Sequence, residues 1–263
     1  MLATLFGEDT TLDRVKTLLQ QTLSDWQSWS DTSETSSSIT TAPVVIEELR
    51  GGRTNRSFLV NAGPLQAVVR INAEHSHNLG IDRHRESDIL SLLQQTGRVP
   101  KIFFITNHVL VCEFIAGRHW TTEDIESNVN SEKISQLINT IQAIPLPKDT
   151  KKRCYVDYCQ HYIQQLPVSF QEEQRSVINV LESVAQEVDQ SSWEPVISHH
   201  DLIPENLIET EQGLFLLDWE YADYGHPAID FVRLYGGDYS HPISGKVLLL
   251  QQGIDELWSV LQD

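Results

Sequence analysis

Between Phe114 and Gly117 the hydrophobic pattern of this 263-residue chain changes period, and the change limits what each side can fold into. Upstream, apolar residues come in short runs broken by turn-formers, which is how strands read. Val44–Leu49, Ser57–Val60, Ala67–Ile71, Lys101–Ile105 and Val109–Phe114 fit that pattern. One helix interrupts them near Asp82–Gln95, where Ile89, Leu90, Leu92 and Leu93 are apolar. Downstream, a helical period dominates from about Ser131 to Gln190 and includes Val177, Ile178, Val180, Leu181 and Val184. Short strands return at Val196–Ser198, Leu207-Ile208 and Leu214–Leu217. The expected fold class is α+β, with a small antiparallel-sheet N-lobe over 42–116 and a mainly helical C-lobe over 117–263.

Residues 1–41 stand apart from both lobes. Leu12, Val15, Leu18, Leu19, Leu23, Trp26 and Trp29 recur at three- and four-residue steps and predict an amphipathic helix over 10–29. Ser30 to Thr41 is rich in Ser and Thr, has little to bury, and reads as a linker.

Composition removes several function classes. With 19 Lys and Arg against 37 Asp and Glu, the formal charge is -18, opposite to what a phosphate backbone requires. A nucleic-acid partner is therefore not expected, whereas a cationic substrate would be drawn to such a field. No apolar run is long enough for a membrane span. Met1-Leu2-Ala3-Thr4 lacks the basic and apolar regions of a secretory signal, so a cytoplasmic location is expected. The three cysteines, Cys112, Cys154 and Cys159, match neither a disulfide framework nor zinc spacing.

The motif that carries chemistry is His199-His200-Asp201-Leu202-Ile203-Pro204-Glu205-Asn206, of the form H-x-D-x-x-x-x-N. After an apolar strand comes Asp218-Trp219-Glu220. Phosphoryl transfer to a hydroxyl needs such a set. One carboxylate orients the attacking hydroxyl and takes its proton. A second carboxylate and a neutral oxygen hold magnesium against the phosphates.

His199–Asn206 followed by Asp218-Trp219-Glu220-Tyr221-Ala222 resembles the aminoglycoside phosphotransferase and choline kinase superfamily, which has a protein-kinase-like fold. Within it, bacterial choline/ethanolamine kinases and thiamine kinases look most similar. Arg50–Phe58, containing Gly51, Gly52, Thr54 and Asn55, is similar to the family's nucleotide loop. Val69-Arg70 is similar to the third strand, where this branch often has Arg for the usual kinase Lys. Glu113–Gly117 resembles the connector between lobes, and Pro227–Asp230 resembles the helix start after the metal-binding Asp.

The resemblance implies ATP and Mg2+ as cofactors. Asp201 becomes the base or hydroxyl-positioning group, with His199 bracing its loop. Asn206 and Asp218 become the magnesium ligands. Arg70 reaches the ATP phosphates, with Glu86 on the following helix as its candidate partner and Asp82 and Asp88 as nearby alternatives. Gly51 and Gly52 let the backbone approach phosphate, beside Thr54 and Asn55. The connector, through the backbone of Glu113 and Ile115, receives adenine. Asp230 bonds the catalytic loop from below.

For the acceptor, Trp219, Glu220 and Tyr221 are the substrate-side residues, since aromatic faces with carboxylates suit an ammonium group. Choline or ethanolamine fits, and thiamine fits the same features. The alternatives are an aminoglycoside or amino-sugar kinase, and a nucleotide-binding regulatory module without catalysis. The intact Asp201, Asn206, Asp218 and Arg70 argue against the last. Only one good helix, near Val247–Leu261, follows Asp230, whereas the family usually has several there. That leaves four choices: an open pocket, one closed by the N-terminal helix, one completed by a second copy in a homodimer, or one shaped for a larger acceptor.

Overall fold

A computed structural model describes residues 10–30, 42–49 and 54–262 of the chain. The expected linker, apart from Ser30, and the Gly51-Gly52 turn lie outside those residues. The described residues fall into two compact units, those within 1–76 with 99–116, and those within 77–98 with 117–263.

The smaller unit opens with α1 (Thr10–Ser24) and a single turn, α2 (Gln27–Ser30). The helix expected over 10–29 is thus broken at Asp25-Trp26. Five strands follow: β1 (Val44–Leu49), β2 (Arg56–Ala62), β3 (Leu65–Ile71), β4 (Ile102–Ile105) and β5 (Val109–Glu113). They form one antiparallel sheet in the order β1-β2-β3-β5-β4. Gly63, at φ +66°, allows the two-residue turn between β2 and β3.

Alternation decides which side of this sheet is apolar. Phe58 and Val60, Ala67, Val69 and Ile71, and Val109 and Val111 all enter one buried cluster. Val15, Leu19 and Trp29 close the same cluster, so the N-terminal helix belongs to the sheet of its own unit. The Trp29 indole N–H donates to the Thr22 carbonyl at 2.9 Å, so its polar atom is satisfied inside the core. Arg70, between Val69 and Ile71, points to the opposite side of the sheet by the same alternation.

The larger unit begins with α3 (Arg83–Leu93), capped by Asp82, whose Oδ1 accepts the N–H groups of His84 and Arg85. This helix was expected in the N-lobe. It groups with the larger unit because Arg85 Nε donates to the Ala222 carbonyl and Tyr162 Oη donates to the Leu79 carbonyl. Next come β6 (Arg118–His119), α4 (Thr122–Glu126), α5 (Asn128–Gln142), α6 (Tyr155–Ile163), α7 (Val168–Glu173) and α8 (Arg175–Gln190). The chain ends through β7 (Val196–Ser198), β8 (Leu207–Thr210), β9 (Gly213–Leu216), β10 (Asp223–Gly225), α9 (Ile229–Tyr235) and α10 (Ser244–Gln262).

Two small sheets hold the motif residues, β10 with β7 and β6-β8-β9. The strands at 118–119 and 223–225 have no sequence signal, since two or three residues are too short to show a period. Helices α6, α8, α9 and α10 share a core through Tyr162, Ile178, Leu181, Val188, Val232 and Leu250. Val177 and Val180, read from the sequence as part of that stripe, lie on the exposed side of α8.

Candidate active site

In the smaller unit, Arg70 is buried on β3, and its Nε donates to Asn72 Oδ1 at 3.0 Å. Asn72 Nδ2 donates on to the Asn107 carbonyl at 3.1 Å, so the guanidinium rests on a side chain that is itself fixed. Asn55 Oδ1 accepts the Ala73 N–H at 3.2 Å, which ties the segment entering β2 to the end of β3. Thr54 beside it is half-buried. Glu113 ends β5 with its carboxylate on the Lys101 N–H. Ile115 lies just past that strand, and no described residue takes up its backbone N–H.

In the larger unit the catalytic loop leaves β7 and is gripped at once. Both carboxylate oxygens of buried Asp230 accept main-chain N–H groups, from His199 at 2.9 Å and from His200 at 3.0 Å. Burial pushes the Asp230 carboxyl up, while those donors, His199 and Arg233 pull it down. His199 is fully buried, and its Nε2 donates to the Leu217 carbonyl at 2.8 Å. Its ring meets Trp219 edge-on, with centroids 4.7 Å apart. His199 therefore joins the loop before Asp201 to the strand end before Asp218.

The His200 ring faces inward. Tyr155 Oη accepts the His226 N–H, so its own proton goes to His200 Nε2, and His200 Nδ1 donates to the Ser198 carbonyl. That arrangement needs a neutral imidazole, and burial holds its pKa well below the usual value. Gly225 makes the space, since a Cβ there would lie 2.5 Å from His200 Cε1.

Asp201, Asn206 and Asp218 are tied together through the main chain. Asn206 Nδ2 donates to the Asp201 carbonyl at 2.9 Å, and the Leu217 N–H donates to the Asn206 carbonyl at 2.8 Å. Asp218, the next residue, is exposed. His200 and Asp218 are the two described non-glycine residues with positive φ, at +65° and +59°. Each such residue costs about 1–3 kcal/mol, and here they immediately precede Asp201 and coincide with the candidate metal ligand.

The residues fit a hard cation. With its amide nitrogen engaged, Asn206 has only Oδ1 to offer outward, and Asp218 adds an exposed carboxylate. Two oxygen donors suit magnesium, which keeps waters and phosphate oxygens as its other ligands. Among the described residues no group of three His, Cys, Asp or Glu could hold a metal by itself.

The acceptor side differs in part from the expectation. Trp219 is 2 % exposed, its indole N–H donating to the Leu216 carbonyl, so it is a core residue beneath the loop. Glu220 is also buried, paired with Arg83 at 3.0 Å, and Arg83 pairs with Glu86 at 2.8 Å. Tyr221 is half-buried, and its Oη accepts the Trp258 indole N–H at 2.9 Å. Burial raises the Tyr221 phenol, with the charges of Glu220 and Asp201 adding to the shift.

Several residues here had no motif to announce them. Arg153 and Arg85 both pair with Asp223, at 2.9 and 3.1 Å, fixing the far end of the D-W-E-Y segment. Arg233 Nη2 lies 3.2 Å from Asp201 Oδ1, and its Nη1 pairs with Asp255 of α10. Trp258 stands one turn past Asp255. The single long C-terminal helix thus reaches the site through two side chains, where the sequence had left the pocket wall open.

Comparison with known proteins agrees with this geometry. The choline/ethanolamine kinase family matches residues 46–244. A LicA homolog from Mycoplasma capricolum is 27% identical over 183 residues, covering 70% of this chain and 69% of that protein. Choline kinase B2 from Caenorhabditis elegans is 22% identical, covering 71% of this chain and 56% of its own. The chain thus spans little more than half of that longer relative. Among solved structures, choline kinase LicA from Streptococcus pneumoniae superposes with a TM-score of 0.72 at 22% identity, covering 94% of this chain and 90% of that one. The aminoglycoside phosphotransferase APH(2'')-Ib superposes at 0.55 with 18% identity, covering 83% and 85%.

Proposed function

The chain belongs to the choline/ethanolamine kinase family, and from that premise we propose that it transfers the terminal phosphoryl group of ATP to the hydroxyl of choline or ethanolamine. The carrying observation is the Asp201 loop, held by Asp230 from one side and tied through Asn206 to the strand before Asp218. A carboxylate fixed in this way can orient a hydroxyl without itself being reorganised.

Asp201 accepts the proton of the acceptor hydroxyl as its oxygen bonds to the γ-phosphorus, and the bond to the β-phosphate oxygen breaks to give ADP. Asn206 and Asp218 hold magnesium, which when bound neutralises charge on the phosphates. Arg70, presented by β3, binds phosphate oxygens, with Thr54 and Asn55 in the segment that follows Gly51 and Gly52 in sequence. Glu86, buried on α3 and paired with Arg83, serves the nucleotide side. Backbone of Glu113 and Ile115 receives adenine.

Charge and aromatic character support a cationic acceptor. Asp201, Asp255 and Arg233 together carry one negative charge in excess, beside Tyr221 and Trp258. An ammonium next to an aromatic ring gains roughly 0.5–2 kcal/mol. ADP release measured across choline, ethanolamine, thiamine and an aminoglycoside tests the reading. Turnover with choline or ethanolamine, and with neither of the others, is the expected result. Turnover with only the aminoglycoside overturns the acceptor class. Tight magnesium–ATP binding without turnover on any alcohol overturns the enzyme reading.

A further inference from the structure

Helix α9 touches the catalytic loop twice. Asp230, in its first turn, takes the two main-chain N–H groups before Asp201. Arg233 follows three residues later and so lies on the same helix face. Its Nη2 approaches Asp201 Oδ1 at 3.2 Å, while Nη1 pairs with Asp255 Oδ2 on α10. The Arg233 side chain is 21% exposed, against 30% for Asp201 and 53% for Asp255, so the cation sits deepest of the three.

A planar guanidinium can hold two carboxylates with fixed geometry, which a lysine ammonium does as a point charge only. Here one carboxylate is the candidate base and the other is an anchor on a different helix. We propose that Arg233 is a positioning residue for the acceptor reaction: anchored on Asp255, it clamps Oδ1 of Asp201 and leaves the other carboxylate oxygen to orient the attacking hydroxyl. The inference rests on the phosphotransferase reading and adds to it a residue that does not touch the substrate.

The clamp has an opposing consequence for binding. Arg233 also cancels charge on two carboxylates near a cationic acceptor. Its removal should therefore weaken the chemical step without weakening acceptor binding, a split that general loosening of the fold would not produce.

Steady-state kinetics on Arg233→Ala, Arg233→Lys and Asp255→Asn test this, with melting temperatures recorded alongside. Arg233→Ala is expected to lower kcat at least tenfold, while KM for choline stays level or falls. Arg233→Lys should recover part of kcat, and guanidinium chloride at millimolar levels should partly restore Arg233→Ala. Asp255→Asn should lower kcat by a smaller factor, again without raising KM. A kcat within twofold of the wild type in Arg233→Ala overturns the role, and so does a raised KM with no rescue by guanidinium. A wild-type chain inactive on every alcohol defeats the acceptor reading separately. The background hydrolysis of ATP, with water as acceptor, then decides: a tenfold loss in Arg233→Ala supports the clamp, and no change overturns it.

Discussion

At the scale of single residues, the site depends on groups whose partners are already fixed. Replacing Asp201 by Asn preserves shape but removes the proposed proton acceptor. Turnover should fall roughly 10²–10⁴-fold with ATP affinity retained, as read by ADP release and nucleotide titration. Asp218→Ala should instead abolish the magnesium dependence of nucleotide binding, measured by calorimetry with and without the metal. Both proposed positions stand out in the sequence because H-x-D-x-x-x-x-N and the following Asp-Trp-Glu are compact. Arg233 was not, because it lies 32 residues from the carboxylate it touches, in a helix where a lone arginine reads as surface. Trp219 shows the opposite failure. Its neighbours suggested a substrate wall, but its indole is satisfied by Leu216 in the core.

Elements behave differently, because what they bury decides where they belong. The N-terminal helix was visible from its apolar stripe, but a stripe does not name its partner. Leu19 is fully buried against the five-stranded sheet, so Leu19→Ala should cost about 2–5 kcal/mol in denaturant unfolding. The same limit applies to α8, where Val177 and Val180 are as apolar as Ile178 and Leu181 and only packing separates the two sides. For α10, Trp258→Phe keeps the ring but loses the hydrogen bond to Tyr221. It should cost roughly 1 kcal/mol of stability and raise the acceptor KM several-fold, by thermal unfolding and kinetics.

For the whole molecule, two buried imidazoles make stability depend on pH. His226 Nδ1 accepts the Ala228 N–H, so protonation there breaks a buried bond. Burial, with the nearby His241 and Lys152, holds its pKa down to about 4 from 6.5, and His200 is shifted the same way. The unfolded chain then takes up protons first, so stability is level above pH 6.5 and falls as pH drops from 6.5 to about 4. The loss from His226 should be on the order of 2–3 kcal/mol. Melting temperatures across that range should show it, with a shallower slope in His226→Asn. The two-lobe division was legible at Gly117, but the place of α3 was not, because it rests on side-chain bonds made far along the chain.

The helices at either end have a practical consequence. The family match runs over residues 46–244, which excludes α1 and all of α10 beyond its first residue. A chain cut to that interval would bare the sheet beneath Val15, Leu19 and Trp29 and would lose Asp255 and Trp258 together. The stretch that carries the family signature is therefore shorter than the stretch these contacts hold together, and domain boundaries for expression should follow the packing.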